Sequence, residues 1–268
     1  MTTRVIVCGA AGRMGRAILR VAAEEPRAQI AGAIEMPGHP TLGRDAGAVA
    51  GIAELGVPLT DDYGALAGPD TVTLDFTNAA SALGHLRTAV EQQAGIVIGS
   101  TGFSADQRAE LDQLAGRTRT VIAANMSIGV AVLQRLIRQA ASVLAGEFDM
   151  EIVEMHHRMK VDAPSGTALA LAETLAQASQ RELRSSAVYG REGLVGKRTA
   201  EEIGVLALRG GDVVGDHTVI FAGLGERLEL SHRAHSRDCL ARGAVRAALW
   251  LDQQPRGRYG IDDVLGWK

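Results

Sequence analysis

Cysteine is nearly missing from this chain of 268 residues: only Cys8, inside the first apolar run, and Cys239, far downstream. Two thiols so placed match neither a disulfide framework nor a paired metal-ligand spacing, so both read as buried, inert side chains. Long hydrophobic runs are missing too. Although 46% of the residues are hydrophobic, no stretch approaches the roughly 20 apolar residues that a membrane crossing needs, so no membrane partner is expected. The N-terminal "MTTRVIVCGAAGRMG" has no charged leader, apolar centre or small-residue cleavage site, which predicts a cytoplasmic protein. Excess positive charge is also lacking. A net charge of −3 argues against nucleic acid as a partner. Lysine is scarce, with three against 25 arginines. No internal repeat and no low-complexity segment interrupts the chain.

What is present is a regular alternation. "RVIVCG", "AQIAGAIE", "TVTLDFT", "GIVIGSTG" and "TRTVIAAN" read as strands that are apolar throughout. "RMGRAILRVAAEE", "AASALGHLRTAVEQQ" and "SADQRAELDQLAGR" have helical spacing between them. Strands apolar on both sides and separated by helices predict a parallel sheet covered on both faces. After Asn125 the pattern changes. The helix "SIGVAVLQRLIRQAASVLAG" leads into "FDMEIVEMHH", a helix after Pro164, and the strand-like "EIGVLALRGGDVVGDHTVIFAG" and "ERLELSHRAH". Links such as "GGDVVG" and "GLGE" suggest hairpins and a mostly antiparallel sheet. The last helix, "RDCLARGAVRAALWLDQQ", can return to the first lobe. The expected division is residues 1–125 with 236–268 as a dinucleotide-binding domain, and 126–235 as a second, substrate-binding domain.

"GAAGRMG" places Gly9, Gly12 and Gly15 where the first strand meets the first helix. Such a turn lets backbone N–H groups approach a pyrophosphate and lets the helix pack close to the sheet. Glycine triplets also serve plain turn geometry, but here Glu35 stands twenty residues after Gly15, at the end of the second strand. A carboxylate there can accept the ribose hydroxyls of an adenosine and repel a 2′-phosphate. Met36 beside it is not basic, so NADH is expected over NADPH, with His39 and Arg44 as the nearby groups that could change that preference. The polar ends of later strands, "DFTNAAS", "GSTGF" and "AANMS", lie where doubly wound sheets hold the nicotinamide half of a cofactor.

The stretch "EMHHRMKVDAPSGTALALAETLA" crowds His156, His157, Arg158 and Lys160 in front of a helix that opens at Pro164-Ser165-Gly166-Thr167. Helix N-termini favour anions, so a lysine and a histidine beside one form a site for a carboxylate-bearing substrate. By strand parity His156 and Lys160 would share a face, provided the segment stays extended past Arg158. Neighbouring histidines lack zinc-ligand spacing, so acid–base chemistry is expected and a metal is not.

These residues carry a resemblance. "VCGAAGRMG", "DFTNAAS", "VIGSTGF", "AANMSIGV", "EIVEMHHRMKVDAPSGTAL" and "GVLALRGGDVVGDHTVIFAGLGERLELSHRAHSRDCLARGAVRAALWL" together resemble the dihydrodipicolinate reductase family over nearly the whole chain. The segment from Glu151 to Leu169 is the specific part. The resemblance implies an α/β fold: a doubly wound, Rossmann-type nucleotide-binding domain plus an α+β domain with a mostly antiparallel sheet, through which a homotetramer assembles. It implies NAD(P)H-dependent reduction of a small cyclic dicarboxylate on the diaminopimelate route to lysine. It further implies His156 as general acid and base and Lys160 as proton donor, with His157, Gly166 and Thr167 binding substrate carboxylates. Cofactor contacts would come from Gly9, Ala10, Ala11, Gly12, Arg13 and Met14, from Glu35, from Gly99, Ser100 and Thr101, and from Ala123, Ala124, Asn125 and Met126. Two positions depart from the family pattern: Met159 stands where a third histidine is common, and Met36 where arginine is common. Two other readings keep part of the pattern. A different two-lobe dehydrogenase would use the glycine turn and Glu35 but not the segment from Lys160 to Thr167, and a non-catalytic NAD(P)-sensing protein would need neither His156 nor Lys160.

Overall fold

A computed structural model describes residues 2–267. The described chain divides into two compact units, 2–127 with 237–267 and 128–236. In the first unit the strands are β1 (Thr3–Cys8), β2 (Ala28–Ile34), β3 (Leu59–Thr60), β4 (Thr71–Asp75), β5 (Gly95–Ile98), β6 (Arg119–Ile122) and β12 (Gly257–Tyr259). Its helices are α1 (Arg13–Glu24), α2 (Ala46–Ala50), α3 (Ala79–Glu91), α4 (Ala105–Ala115), α8 (Asp238–Leu251) and α9 (Ile261–Val264). All the pairings are parallel, in the order β12-β6-β5-β4-β1-β2-β3.

Side-chain alternation explains why both faces are covered. Val5, Val7, Val72 and Leu74 pack with α1 and α8, through Ile18, Leu19, Ala244 and Ala248. Ile6, Cys8, Ile96 and Ile98 point the other way, onto Leu83, Leu86 and Ala89 of α3 and Leu111 of α4. The direction in which successive strands are added reverses at β1, with β2 on one side and β4 on the other. Ligands of such sheets bind at the carboxyl ends of the strands flanking this switch.

The second unit holds α5 (Ile128–Leu144), β7 (Asp149–His156), α6 (Gly166–Ala178), α7 (Leu183–Ser186), β8 (Ala187–Val188), β9 (Ile203–Arg209), β10 (Gly215–Ala222) and β11 (Arg227–Ala234). Its sheet order is β11-β10-β7-β9-β8. Met150, Ile152, Val205, Val219 and Phe221 form the core with α5 and α6. This sheet is mixed, not mostly antiparallel: β11-β10 and β10-β7 are antiparallel, but β7-β9 and β9-β8 are parallel. The helical crossover through α6 brings β9 back in the direction of β7. "GLGE" does close a hairpin, with Gly223 N–H donating to the Glu226 carbonyl at 3.0 Å. "GGDVVG" does not. It spans β7, and its backbone bonds to the exit of that strand, Gly210 N–H to the His156 carbonyl (2.9 Å) and Arg158 N–H to the Gly211 carbonyl (3.2 Å). Among the described residues no helix is long and apolar enough to cross a membrane.

Candidate active site

In the first unit the glycine turn has the geometry its spacing predicts. Gly9 adopts φ +71°, a left-handed conformation that disfavours other residues. Gly15 lies so close to the turn that a Cβ there would come within 2.1 Å of the Gly9 carbonyl. The N–H groups are divided between two tasks. Ala10 N–H donates to the Ile34 carbonyl (3.0 Å) and Gly12 N–H to the Gly9 carbonyl (2.9 Å). Ala11 N–H donates to Glu35 Oε2 and Met36 N–H to Glu35 Oε1, each at 3.0 Å. Glu35 is thus fastened to the turn that it was expected to complement. The first N–H groups of α1, at Arg13 and Met14, are where a helix leaves donors that can take an anion. A close backbone approach, an open helix start and an oriented acidic residue fit a dinucleotide. His39, which could have altered the cofactor preference, is engaged with Thr41 at 2.7 Å. Exposed Met36 adjoins Glu35.

Gly99, Ser100 and Thr101 follow β5, and Ala123 to Met126 follow β6. Met126 is fully buried in the first core, its backbone carbonyl packed against Gly243 of α8, so the structure does not present it to a ligand, contrary to the expectation from sequence. Cys8 is buried and its thiol is pushed up by burial, as expected of an inert thiol. Cys239 is only half buried, contrary to expectation, because α8 leaves it at the margin of the core; burial raises its thiol as well.

The second unit brings the titratable stretch to one place. β7 points Met150, Ile152, Glu154 and His156 to the same face by its period of two. Glu154 is fully shielded from solvent. Its carboxylate accepts from His156 Nδ1 at 2.6 Å, from Ser165 N–H at 3.0 Å and from both terminal nitrogens of Arg209 at 2.9 Å. Burial acts to raise the Glu154 pKa, but Arg209, His156 and Ser165 together outweigh it and hold it below the usual carboxylate range. An ionised carboxylate only accepts, so His156 carries its proton on Nδ1 and presents Nε2. Gly215 leaves room for that nitrogen, since a Cβ there would lie 3.0 Å from it. Burial lowers the His156 pKa more than Glu154 restores it, and the nearby charge of Lys160 adds to the lowering.

Strand parity does not place Lys160. The chain leaves β7 after His156 and turns, with Lys160 N–H donating to the His157 carbonyl at 3.0 Å. Its Nζ lies 2.8 Å from both carboxylate oxygens of the more exposed Asp162. Arg209 steadies this turn by donating to the Asp162 carbonyl at 2.7 Å. Nδ1 of His157 is buried without a partner. At the start of α6, Ser165 Oγ caps the helix by accepting from Ala168 N–H at 3.1 Å, and Gly166 and Thr167 form its first turn. A Cβ at Gly166 would meet nothing within 4 Å, so crowding inside the chain does not call for glycine there.

Sequence reasoning missed Glu154, Arg209 and His217. The alternation Glu-x-His in "EMH" was a usable signal for Glu154. Arg209 lay out of reach because it joins through the β7-β9 register, opposite His156. His217 is buried, stands edge-on to His156 with ring centroids 5.2 Å apart, and contacts Ser165 Oγ at 3.2 Å. Burial, then the neighbouring His156, lowers its pKa to about 4, so it is neutral.

Comparison with known proteins agrees with this picture in both units. Residues 3–126 match the family model for the N-terminus of dihydrodipicolinate reductase, and residues 129–265 match that for its C-terminus. The 4-hydroxy-tetrahydrodipicolinate reductase of Geobacter sulfurreducens is 48% identical over 266 residues, covering 99% of this chain and 100% of that protein. That of Trichlorobacter lovleyi is 49% identical over 265 residues, covering 99% of each. Among solved structures, the dipicolinate-bound dihydrodipicolinate reductase from Paenisporosarcina sp. TG-14 shares the fold with a TM-score of 0.78 at 23% identity, over 98% of this chain and 99% of that one. A glycine turn with its acidic partner, a histidine held by a buried carboxylate and a match along both halves have one explanation: the chain belongs to the dihydrodipicolinate reductase family.

Proposed function

We propose that this chain reduces 4-hydroxy-tetrahydrodipicolinate with a nicotinamide cofactor, losing water, on the diaminopimelate route to lysine. Full-length identity near one half to reductases of that name supports the activity. The observation that carries the chemistry is the Glu154–His156 bond at 2.6 Å beside Lys160. When bound, the nicotinamide supplies a hydride to C4 of the dehydrated substrate. The electron pair displaced onto C3 then needs a proton, and His156 Nε2 is the donor. For this the ring must also carry a proton on Nε2, and Glu154, which holds Nδ1–H, orients the ring and stabilises the imidazolium that donates. Lys160 exchanges Asp162 for a substrate carboxylate and stabilises the developing charge. The start of α6, at Gly166 and Thr167, receives a carboxylate with His157 beside it.

NADH is the preferred cofactor, because the carboxylate of Glu35 is held in place by two N–H groups and exposed Met36 offers no positive charge to a 2′-phosphate. The second unit, residues 128–236, is the substrate and assembly domain, the active form is a homotetramer built on its sheet, and no metal takes part. The dicarboxylate seen in the Paenisporosarcina structure is the natural competitive probe. The test is oxidation of NADH or NADPH by the purified chain with substrate made in a coupled synthase reaction. Turnover of this substrate, faster with NADH and inhibited by pyridine-2,6-dicarboxylate, is expected. Nucleotide binding without turnover would replace this reading with the sensing protein, and turnover of other substrates alone with another dehydrogenase.

A further inference from the structure

A second buried carboxylate stands in the first unit, and nothing in the proposed reaction uses it. Asp75, the last residue of β4, is fully shielded from solvent. Its Oδ1 accepts from Thr77 N–H (3.1 Å), Thr77 Oγ1 (2.8 Å) and Ser100 Oγ (2.9 Å), and its Oδ2 lies 2.5 Å from Nδ1 of His85 on α3. Its backbone carbonyl accepts from Gly99 N–H at 2.9 Å. One residue therefore ties the end of β4 to the end of β5.

The tie reaches β1 as well. A Cβ on Gly9 would lie 3.1 Å from Cγ2 of Thr77, so the threonine held by Asp75 rests against the glycine turn. Phe76 covers Gly99, where a Cβ would come within 2.2 Å of its ring. Three strand ends around the topological switch thus converge on Asp75, and they include Gly9, Gly99 and Ser100. His85 supplies the remaining donor. Its ring stands edge-on to Tyr63 at 4.9 Å between centroids, and Tyr63 is fixed by Thr73 at 2.7 Å. Cys8 completes a group whose ligand-type atoms lie within 4.8 Å of one another. Within that group His85 Nδ1 and Asp75 Oδ2 are at hydrogen-bond distance and Asp75 Oδ1 takes three donors from the two loops, so the carboxylate's bonds tie loops together.

We infer that Asp75 and His85 are positioning residues for the nicotinamide half of the cofactor: the pair sets the spacing between Thr77 and Ser100, and so the placement of Gly99 to Thr101. This rests on the nucleotide role proposed above for the first unit. Removing the His85 donor leaves a buried carboxylate oxygen unpaired and loosens the loop ends it holds.

The experiment measures binding of NADH and of ADP-ribose, which lacks only the nicotinamide, to the intact protein. His85→Leu is expected to weaken NADH about tenfold and ADP-ribose less than about twofold. His85→Asn places an amide N–H near the position of Nδ1 and is expected to restore NADH binding to within about threefold of wild type. Equal weakening of both ligands by His85→Leu, or no weakening of either, would overturn the inference, as would His85→Asn behaving like leucine. If His85→Leu fails to fold, Asp75→Asn, which keeps the shape and an acceptor oxygen, must show the same selective loss of NADH. A wild-type protein that binds neither ligand would instead remove the nucleotide reading on which the inference stands.

Discussion

Each unit contains a fully buried carboxylate bonded to the Nδ1 of a histidine, Asp75 with His85 at 2.5 Å and Glu154 with His156 at 2.6 Å. The pairs look alike up to that bond and differ in what surrounds it. Glu154 also receives both terminal nitrogens of Arg209, so its charge is compensated from a neighbouring strand. Asp75 is held by a backbone N–H and two hydroxyls. His156 has Gly215 beside Nε2 and the charge of Lys160 nearby, while both rings have an edge-on aromatic neighbour, His217 for His156 and Tyr63 for His85. A carboxylate–histidine pair is therefore no catalytic signature by itself. An arginine on the carboxylate and a cation near the ring make one pair suited to proton transfer, while bonds to two loops make the other suited to holding them apart.

That contrast can be broken most sharply at the histidines. His156→Ala is expected to lower kcat by about 10²–10⁴-fold with NADH affinity intact, in steady-state assays beside direct nucleotide binding. An unchanged kcat would remove His156 from the acid's role and leave the two pairs equivalent.

A smaller effect is expected at the carboxylate. Glu154→Gln should cost about 10²-fold in kcat/KM and shift its pH profile. The acid must be protonated, so kcat/KM falls as pH rises through the His156 pKa of the free enzyme, which lies below the ordinary 6.5. Glu154 raises that pKa, so without its charge the fall should begin at still lower pH. In kcat, which reports the substrate complex, two bound carboxylates favour the imidazolium and the break should lie higher than in kcat/KM. A Glu154→Gln profile superimposable on the wild type would show that the bond does not tune His156.

The smallest effect concerns stability in acid. His217 has its pKa lowered from 6.5 to about 4, so the folded state binds its proton less readily than the unfolded chain. The stability this contributes is complete above 6.5 and is lost as pH falls towards 4. Between about pH 7 and about pH 5 it amounts to about 2 kcal/mol. Denaturant midpoints of the wild type should fall over that range by more than those of His217→Gln. Equal falls would assign the acid sensitivity to other groups.

Much of the first unit was legible because β1 and β5 are largely apolar on both faces and α1 and α3 have helical spacing. Short pieces such as β3, β8, β12, α7 and α9 passed unnoticed, since two to four residues show no period. "GGDVVG" was misread as a hairpin because turn chemistry is local, while the choice of partner strand is not: β7 takes the place between β9 and β10. Within the site, His156, Lys160 and the start of α6 stood close together in sequence and could be grouped by chemistry. Glu154 had only its alternation with His156 to mark it, and Arg209, His217 and Asp75 showed no signal that linked them to a histidine.

The sequence by itself determined the alternating layers, the glycine turn with its acid twenty residues on, and the cluster of cation, histidine and helix start, because each is written within a short span whose periodicity or charge needs no distant partner. Tertiary structure alone decided which imidazole nitrogen is presented, which contact Lys160 makes after the turn that follows β7, and which of two buried carboxylates is paired with an arginine. Those outcomes depend on strand register and burial, which join residues 55 positions apart such as Glu154 and Arg209 and shift the balance of charge only once water has been excluded.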